Sequence, residues 1–459
     1  MIENLSKNRT ILILFLEGFV SVSLQILMMR QMTPFFGSSV VVSSLVIGVF
    51  LAALALGYSY GGRRDKNQIS KLLNNIIIAS VLISLGLSYE FMNLIFGILN
   101  VYINKPIIEI SIYLILFLAP IIFLLGQTVP LLTNFFKEKT ASQIAGDSFA
   151  LNTVGSVLGS VITSIVFLYY FGVSKTIFLN VFLLGVVCFL LLKKNDYIYY
   201  FFIYALVLSF CYFLNVHKEK NNFLLTNAYN NYQVGYNSDG RYLFMNGSYS
   251  SAILKGNKNW PYINKSKEIL FDKNNLNLKN SSILILGAGG FTLTQGDNIP
   301  ENNYTYVDID PEIQDVVEKY FLNEDINGTF VAEDARVFVN KSKIKYDAIL
   351  VDLYASKTSI PWHLLNTEFM IALKNTMNED GTILFNIISN GLFKDEYSRT
   401  IYNTINNIFN YCHSMPYEIN NTDKTNILYV CKNINEDIYK KSIYIDDIAR
   451  SSIDELQNK

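Results

Sequence analysis

The sequence predicts an α-helical membrane bundle followed by an α/β domain with a parallel sheet, fronted by a small β-hairpin unit. Three observations carry this. Residues 1–216 are nearly all apolar, whereas 217–459 hold most of the Lys, Asp, Glu and Asn. The first part repeats apolar stretches close to the roughly twenty residues a helix needs to cross hydrocarbon. The second alternates buried-strand runs with helical runs, as βαβ units require. Apolar types make up 51% and charged types 16% of the 459 residues, too apolar an average for a wholly soluble chain. That length calls for two or three domains, expected at 1–216, 217–270 and 271–459. A net charge of −1 gives no footprint for nucleic acid, and no nucleic-acid partner is expected.

Seven spans are expected, at about 11–29, 39–60, 72–96, 107–128, 149–171, 175–192 and 197–216. The first continues into further spans and reads as a span rather than a cleaved signal peptide. Lys7, Arg9, Arg63, Arg64, Lys66, Lys71, Lys137, Lys139, Lys193 and Lys194 fall on one side, against Arg30, Lys105 and Lys175 on the other. The positive-inside rule then puts the N-terminus inside and, with seven spans, the soluble part outside. Nucleosides are cytosolic, which argues the opposite, and a cytosolic soluble part is the expectation adopted. Glu17 and Gln25 lie two turns apart on roughly one face of the first helix. An ionisable group at membrane depth is a functional candidate; the bland alternative is a Glu hydrogen-bonded to a neighbouring helix. Gly155 and Gly159, with Ser156 and Ser160, form a small-xxx-small face for close helix packing. Cys188 and Cys211 read as small hydrophobes, Cys412 and Cys431 stand far apart in sequence, and no metal site is expected.

In the soluble part, Tyr232–Tyr236 and Arg241–Met245 flank Asn237-Ser-Asp-Gly240 and read as a β-hairpin, with Asn246-Gly247 turning into a further strand from Tyr249 to Leu254. Ile283–Leu286 is a short buried strand. Gly287, Gly289 and Gly290 after it allow a tight turn and close approach of a ligand. Asp308 ends the next strand about twenty residues on, the distance at which an acid meets ribose hydroxyls in nucleoside-binding α/β folds. Asp310 suits an N-cap and Pro311 a first helical position, for a helix to about Tyr320. Strands at Thr329–Glu333, Tyr346–Leu353 and Gly381–Ile388 follow, with a helix from Ile360 to about Met377 between the last two. Ligands in such sheets bind at carboxyl ends of strands, where Gly287–Gly290, Asp308, Asp334 and Asp352 all fall. The glycine backbone can approach a small nucleoside tail, Asp308 can take ribose hydroxyls, and Asp334 an adenine amino group. Asp352 faces where a sulfonium or amine would sit.

The order Glu17…Gln25…Arg30…Phe36-Gly-Ser-Ser39, then Leu56-Gly57…Gly61-Gly62, then Ala150-Leu-Asn-Thr-Val-Gly155 resembles the membrane half of bacterial membrane-bound spermidine synthase-like (polyamine aminopropyltransferase) proteins. Leu286-Gly-Ala-Gly-Gly290, Val307-Asp-Ile-Asp-Pro-Glu312, Glu333-Asp-Ala335 and Tyr346-Asp-Ala-Ile-Leu-Val-Asp352 are similar to that family's nucleoside motifs, and Ile360-Pro-Trp-His-Leu-Leu-Asn-Thr-Glu368 is similar to its membrane-fused branch. The resemblance implies an α/β Rossmann-like domain of the class I methyltransferase and spermidine synthase type. It implies S-adenosylmethionine or its decarboxylated form as substrate, no metal, and nucleoside binding by Gly287, Gly289, Gly290, Asp308, Asp334 and Ala335. Asp352 lines the reaction site, and Tyr262 corresponds to a tyrosine that helps close it. Partners implied are the bilayer of a bacterial inner membrane, the nucleoside and a polyamine; a homodimer is compatible with it.

Three positions depart from the family pattern. Gly290 stands where the glycine loop carries an Asp, Ser250 where a Gln commonly meets the nucleoside, and Ala355 where a second Asp acts as base. Ser356 and Lys357 nearby are poor bases for an amine at neutral pH. These departures tell against putrescine recognition and leave nucleoside binding intact; aminopropyl transfer with release of methylthioadenosine is the leading expectation on the resemblance. A lyase, in which the carboxylate of S-adenosylmethionine attacks its own chain to give methylthioadenosine and homoserine lactone, is the alternative, with methyl transfer a third. From another class, a transporter or sensor would work through Glu17 and only bind nucleoside in the soluble part. His363 is read as a packing or capping residue.

Overall fold

The computed structural model describes residues 6–63, 68–103, 105–133, 140–193, 196–256, 258–354, 360–409, 411–417 and 424–432, Ala141 by its backbone alone. Arg64, Lys66, Lys137, Lys139, Lys194, Ala355, Ser356 and Lys357 lie outside the described residues. Two compact units are present, one made of Met1–Thr33 and Val41–Ala228, the other of Pro34–Val40 and Tyr229–Lys459.

The helical unit contains α1 (Lys7–Phe36), α2 (Val40–Gly61), α3 (Gln68–Gly86), α4 (Tyr89–Tyr102), α5 (Pro106–Thr133), α6 (Ser142–Leu191) and α7 (Tyr197–Asn222). Six of these, all but α4, are long and apolar enough to cross a membrane. The difference from the seven expected segments lies in α6. It runs for 50 residues, some 75 Å of helix and more than twice a hydrocarbon core. Gly172, at φ 72° and ψ −172°, breaks it into arms at 142–171 and 173–191, which match the expected fifth and sixth spans. The third expected span, 72–96, is corrected: it ends at Gly86, and α4 restarts at Tyr89 after the turn at Leu87 and Ser88.

Close packing follows from the small residues. A Cβ on Gly155 would strike the carbonyl oxygen of Phe15, and one on Gly159 that of Phe19, so α6 lies against α1 backbone to backbone. Hydrogen bonds between helices add to this: Ser80 Oγ meets Tyr204 OH at 2.6 Å, and Asn215 Nδ2 donates to Ser84 O at 2.8 Å. Outward positions are apolar, with Leu206 72% and Ile165 68% exposed, as suits helices solvated by lipid. The short strand β1 (Leu225–Thr226) ends the unit, near the point where Arg30 Nε donates to Asn227 O at 2.7 Å.

In the second unit, β2 (Asn231–Tyr236), β3 (Gly240–Met245) and β4 (Ser248–Leu254) pair antiparallel as the turn signals predict. After the helix Pro261–Phe271 come β5 (Ser282–Leu286), β6 (Asn303–Asp308), β7 (Thr329–Ala332), β8 (Tyr346–Val351), β9 (Met377–Asn390), β10 (Tyr411–Pro416) and β11 (Lys424–Lys432). They form one sheet in the order β10-β11-β9-β8-β5-β6-β7, with β5 to β9 parallel, β11 antiparallel to β9, and β10 antiparallel to β11. This is the expected Rossmann-like α/β fold. Leu284, Leu286, Ile349, Ile383 and Phe385 are buried, covered by Phe369 and Leu373 of the helix Thr367–Thr376 and by Ile401 and Ile405 of the helix Glu396–Ile408. The chain builds outward from β5 to β7, then returns so that β8 lies on the other side of β5. The strand order therefore reverses between β5 and β8, which opens a crevice at their carboxyl ends.

Several boundaries are corrected. The helix expected from Ile360 starts at Thr367, because Asn366 caps it by accepting from Phe369 N at 2.9 Å. The helix expected at Pro311 is assigned from Ile313, and Asp310 is drawn into another role described below. The strands β10 and β11 have no expected counterpart. They place Cys412 directly opposite Cys431, and the two close a disulfide across 19 residues of sequence, so the reading of these as separate cysteines is corrected.

Candidate functional site

The crevice is built from the ends of β5, β6 and β8. Gly287 sits at φ 89°, and a Cβ there would run into the carbonyl oxygen of Asp352, so the residue after β5 has to be glycine. Asp352 N in turn donates to Leu286 O at 2.8 Å, which holds the two strand ends side by side. Asp308, at the end of β6, accepts from Ala288 N at 3.0 Å through Oδ2 and from Asp310 N at 3.0 Å through Oδ1. Burial is the larger influence on its carboxyl and raises its pKa to about 6, while these two backbone donors pull the other way. The glycine loop and Asp308 are thus in contact.

Asp352 is half-buried and held from two sides. Tyr262 OH donates to its Oδ2 at 2.7 Å, and Asn386 Nδ2, from β9, donates to its Oδ1 at 2.9 Å. Burial pushes its pKa up from the ordinary carboxylate value, against those two hydrogen bonds. Burial, then the neighbouring Asp352, pushes the Tyr262 phenol well above its usual range, so it stays protonated and donates. Tyr262, expected to help close the site, is in direct contact with Asp352. Sequence reasoning missed Asn386. Its signal was a lone amide inside the apolar run Ile383-Leu-Phe-Asn-Ile-Ile388.

Asp334 performs structural work that the sequence reading left to a ligand. Its Oδ1 accepts from Arg336 N at 2.9 Å and Val337 N at 3.1 Å, capping the helix Ala335–Lys341, and its Oδ2 meets His363 Nε2 at 3.1 Å. The His363 hydrogen bond leads in holding its pKa below the ordinary value. His363 thus pairs with Asp334 rather than standing in the crevice beside Asp352. Ala335 opens the same helix, buried.

Gly290 explains its own departure from the family pattern. A Cβ there would lie 2.5 Å from Phe321 Cε1 and 2.6 Å from Ser251 Cβ, so an acidic side chain has no room. Ser251 Oγ instead accepts from Gly290 N at 2.8 Å. Asp310, fully buried, accepts through Oδ2 from Tyr232 OH at 2.6 Å and Asn230 Nδ2 at 2.9 Å, and through Oδ1 from Glu312 N at 3.0 Å. It pins the β2 strand beside the end of β6, a contact that no local sequence pattern announces. Positions 355–357, where the family pattern carries its base and this chain has Ala355, Ser356 and Lys357, lie outside the described residues.

In the helical unit Glu17 is buried. Its Oε1 accepts from Ser21 Oγ at 2.7 Å and its Oε2 from Asn152 Nδ2 on α6; Asn152 Nδ2 also donates to Leu14 O at 3.2 Å. Gln25, half-buried two turns on, stands outside this network. Among the described residues no group of three or more His, Cys, Asp or Glu could hold a metal ion.

Residues 271–441 match the family described as spermine/spermidine synthase domain. The chain is 26% identical over 400 residues to polyamine aminopropyltransferase 2 of Aquifex aeolicus (strain VF5), covering 81% of this chain and 78% of that protein. That stretch is longer than the soluble part alone, so the likeness extends into the helical part. To the polyamine aminopropyltransferase of Vibrio vulnificus (strain CMCP6) it is 30% identical over 151 residues, 32% of this chain and 50% of that protein. The chain thus spans about half the length of that relative. The crystal structure of a probable spermidine synthase from Corynebacterium glutamicum ATCC 13032 aligns at a TM-score of 0.39 and 17% identity, over 45% of this chain and 78% of the other.

Proposed function

We propose that this chain, whose residues 271–441 match a spermine/spermidine synthase domain, is a membrane-embedded aminopropyltransferase acting on decarboxylated S-adenosylmethionine. The observation that carries the reading is the convergence of Gly287, Asp308 and Asp352 at the point where strand order reverses, with Tyr262 bonded to Asp352. The ribose hydroxyls donate to Asp308, and the nucleoside tail runs over the glycine loop towards Asp352. An amine attacks the carbon next to the sulfonium, a C–N bond forms, and the C–S bond breaks with its electron pair going to sulfur. Methylthioadenosine leaves, and the proton lost from nitrogen passes to the Asp352 carboxylate and then to water. A carboxylate whose pKa is raised by burial is a better base than an exposed one, and binding both reactants in one crevice supplies the orientation. Six helices long and apolar enough to span support residence in a bilayer.

The packing at Gly290 favours a second reading, the S-adenosylmethionine lyase. With Ser251 and Phe321 filling the space above the loop, the acid that the family places there is replaced by nothing charged. A loop without that negative charge suits the carboxylate of S-adenosylmethionine, which is already deprotonated and needs no protein base such as the one Ala355 replaces. One experiment separates the readings. The purified full-length protein is given S-adenosylmethionine, then its decarboxylated form with and without putrescine, and methylthioadenosine is followed by chromatography. Release that requires both the decarboxylated form and an amine supports transfer. Release from S-adenosylmethionine alone supports the lyase, and no release under any condition sinks both.

A further inference from the structure

Asn386 lies on β9, one residue beyond the last paired position of β8 and β9, Val351 opposite Phe385. Its side chain is 3% exposed. The nitrogen of its carboxamide is committed to Asp352 Oδ1 at 2.9 Å, while its carbonyl oxygen Oδ1 is buried without a hydrogen-bond partner. The amide cannot be turned over to satisfy that oxygen, because the swap would set it against the carboxylate, acceptor to acceptor. The backbone here is fixed as well: Tyr354 OH donates to Asn386 O at 3.1 Å and accepts from Ile388 N at 2.6 Å. A buried, unsatisfied carbonyl is costly and is expected to meet a donor in the working state. Both ends of a carboxamide belong to one planar group, so this free oxygen stays within a few ångström of the Asp352 carboxylate.

Resting on the transferase reading above, we infer that Asn386 is an amine-positioning residue, its Nδ2 aiming Asp352 and its Oδ1 accepting an N–H from the attacking primary amine. Two acceptors side by side, one charged and one neutral, suit a group with several N–H donors, and a lone carboxylate would leave such a group free to swing. Among the described residues, the titratable group bonded to the Asp352 carboxylate is Tyr262, which in turn feels Tyr354.

The test uses full-length protein in detergent and the variants Asn386→Ala and Asn386→Asp, with melting temperature as the folding control. With decarboxylated S-adenosylmethionine saturating and putrescine titrated, Asn386→Ala is expected to raise the KM for amine tenfold or more and to leave the KM for nucleoside within twofold. Asn386→Asp, which sets a second acid beside Asp352, is expected to move the acid limb of the pH–rate profile up by about one pH unit. An unchanged amine KM and pH profile in both variants overturns the inference, as does an equal rise in both KM values. A second measurement needs no turnover. Putrescine added to protein loaded with methylthioadenosine should raise the melting temperature of the wild type but not of Asn386→Ala. If the wild type shows no such rise the inference is overturned, whereas loss of the rise given by methylthioadenosine itself counts against the nucleoside reading.

Discussion

Tyr262 and Asp352, 90 residues apart in the chain, meet in a 2.7 Å hydrogen bond in which the phenol donates to the carboxylate. Tyr262 comes from the helix Pro261–Phe271, between the β-hairpin strands and the sheet, while Asp352 ends β8. The contact therefore ties the segment that precedes the sheet to the residue proposed above to receive the proton. Replacing Asp352 with Asn should keep the shape and the Asn386 neighbour but remove the base, lowering kcat by roughly 10²–10⁴-fold. Tyr262→Phe should cost less, about tenfold, because the carboxylate stays in place. Methylthioadenosine release from the two variants, with melting curves to confirm folding, checks both.

On the proposed reading Asp308 sets a pH limit on nucleoside binding. With its pKa raised to about 6, the carboxyl is ionised above that pH, the form that would accept the ribose hydroxyls. Below it, protonation removes an acceptor. Affinity for methylthioadenosine should be flat above about pH 7 and weaken towards tenfold per pH unit below about 6. Calorimetric titrations between pH 5 and 8 would show this, and Asp308→Asn should bind weakly with the pH dependence gone.

The crowding at Gly290 predicts that restoring the family's acid is harmful. Gly290→Asp must displace Ser251 or the Phe321 ring and should destabilise the soluble unit by about 1–3 kcal/mol. Gly290→Asp with Ser251→Gly should recover part of that loss. Thermal melting of the single and double variants decides it.

In the helical unit, Glu17→Gln keeps an acceptor for Ser21 and the side chain's shape, and its new amide nitrogen is satisfied only if the Asn152 amide turns to present its oxygen. It should leave folding and methylthioadenosine release within about twofold of the wild type. Loss of cellular function in Glu17→Gln, with Asp352→Asn still functional, would move the activity to the helical unit and sink the transferase. Gly155→Leu, by contrast, should prevent α1 and α6 from meeting and abolish recovery of folded protein from detergent.

Much of this molecule was legible because its signals are local. The apolar runs, the turn residues of β2 to β4 and the Gly287–Asp308 spacing each sit within about twenty residues of sequence, and each appears in the structure where it was read. The missed features depend on chain reversals. Asn386 is identified only by its neighbour Asp352 across two adjacent strands, Asp310 by Tyr232 from the hairpin, and His363 by Asp334. The misplaced end of the third span had another cause. Hydropathy measures the length of an apolar run but not its continuity, so it could not show that the span stops at Gly86.

The bridge between Cys412 and Cys431 gives the soluble unit a record of where it resides. Reducing cytosol keeps such pairs as thiols, whereas an oxidising compartment closes them. Alkylating intact host cells under acid quench, then weighing the peptides that carry the two residues, would read that record directly. Closed cysteines would put β10 and β11 on the outer side of the membrane, where the lysine and arginine bias of the connecting segments also points. Free thiols would put them among the cytosolic nucleosides, and the charge bias would then need another cause.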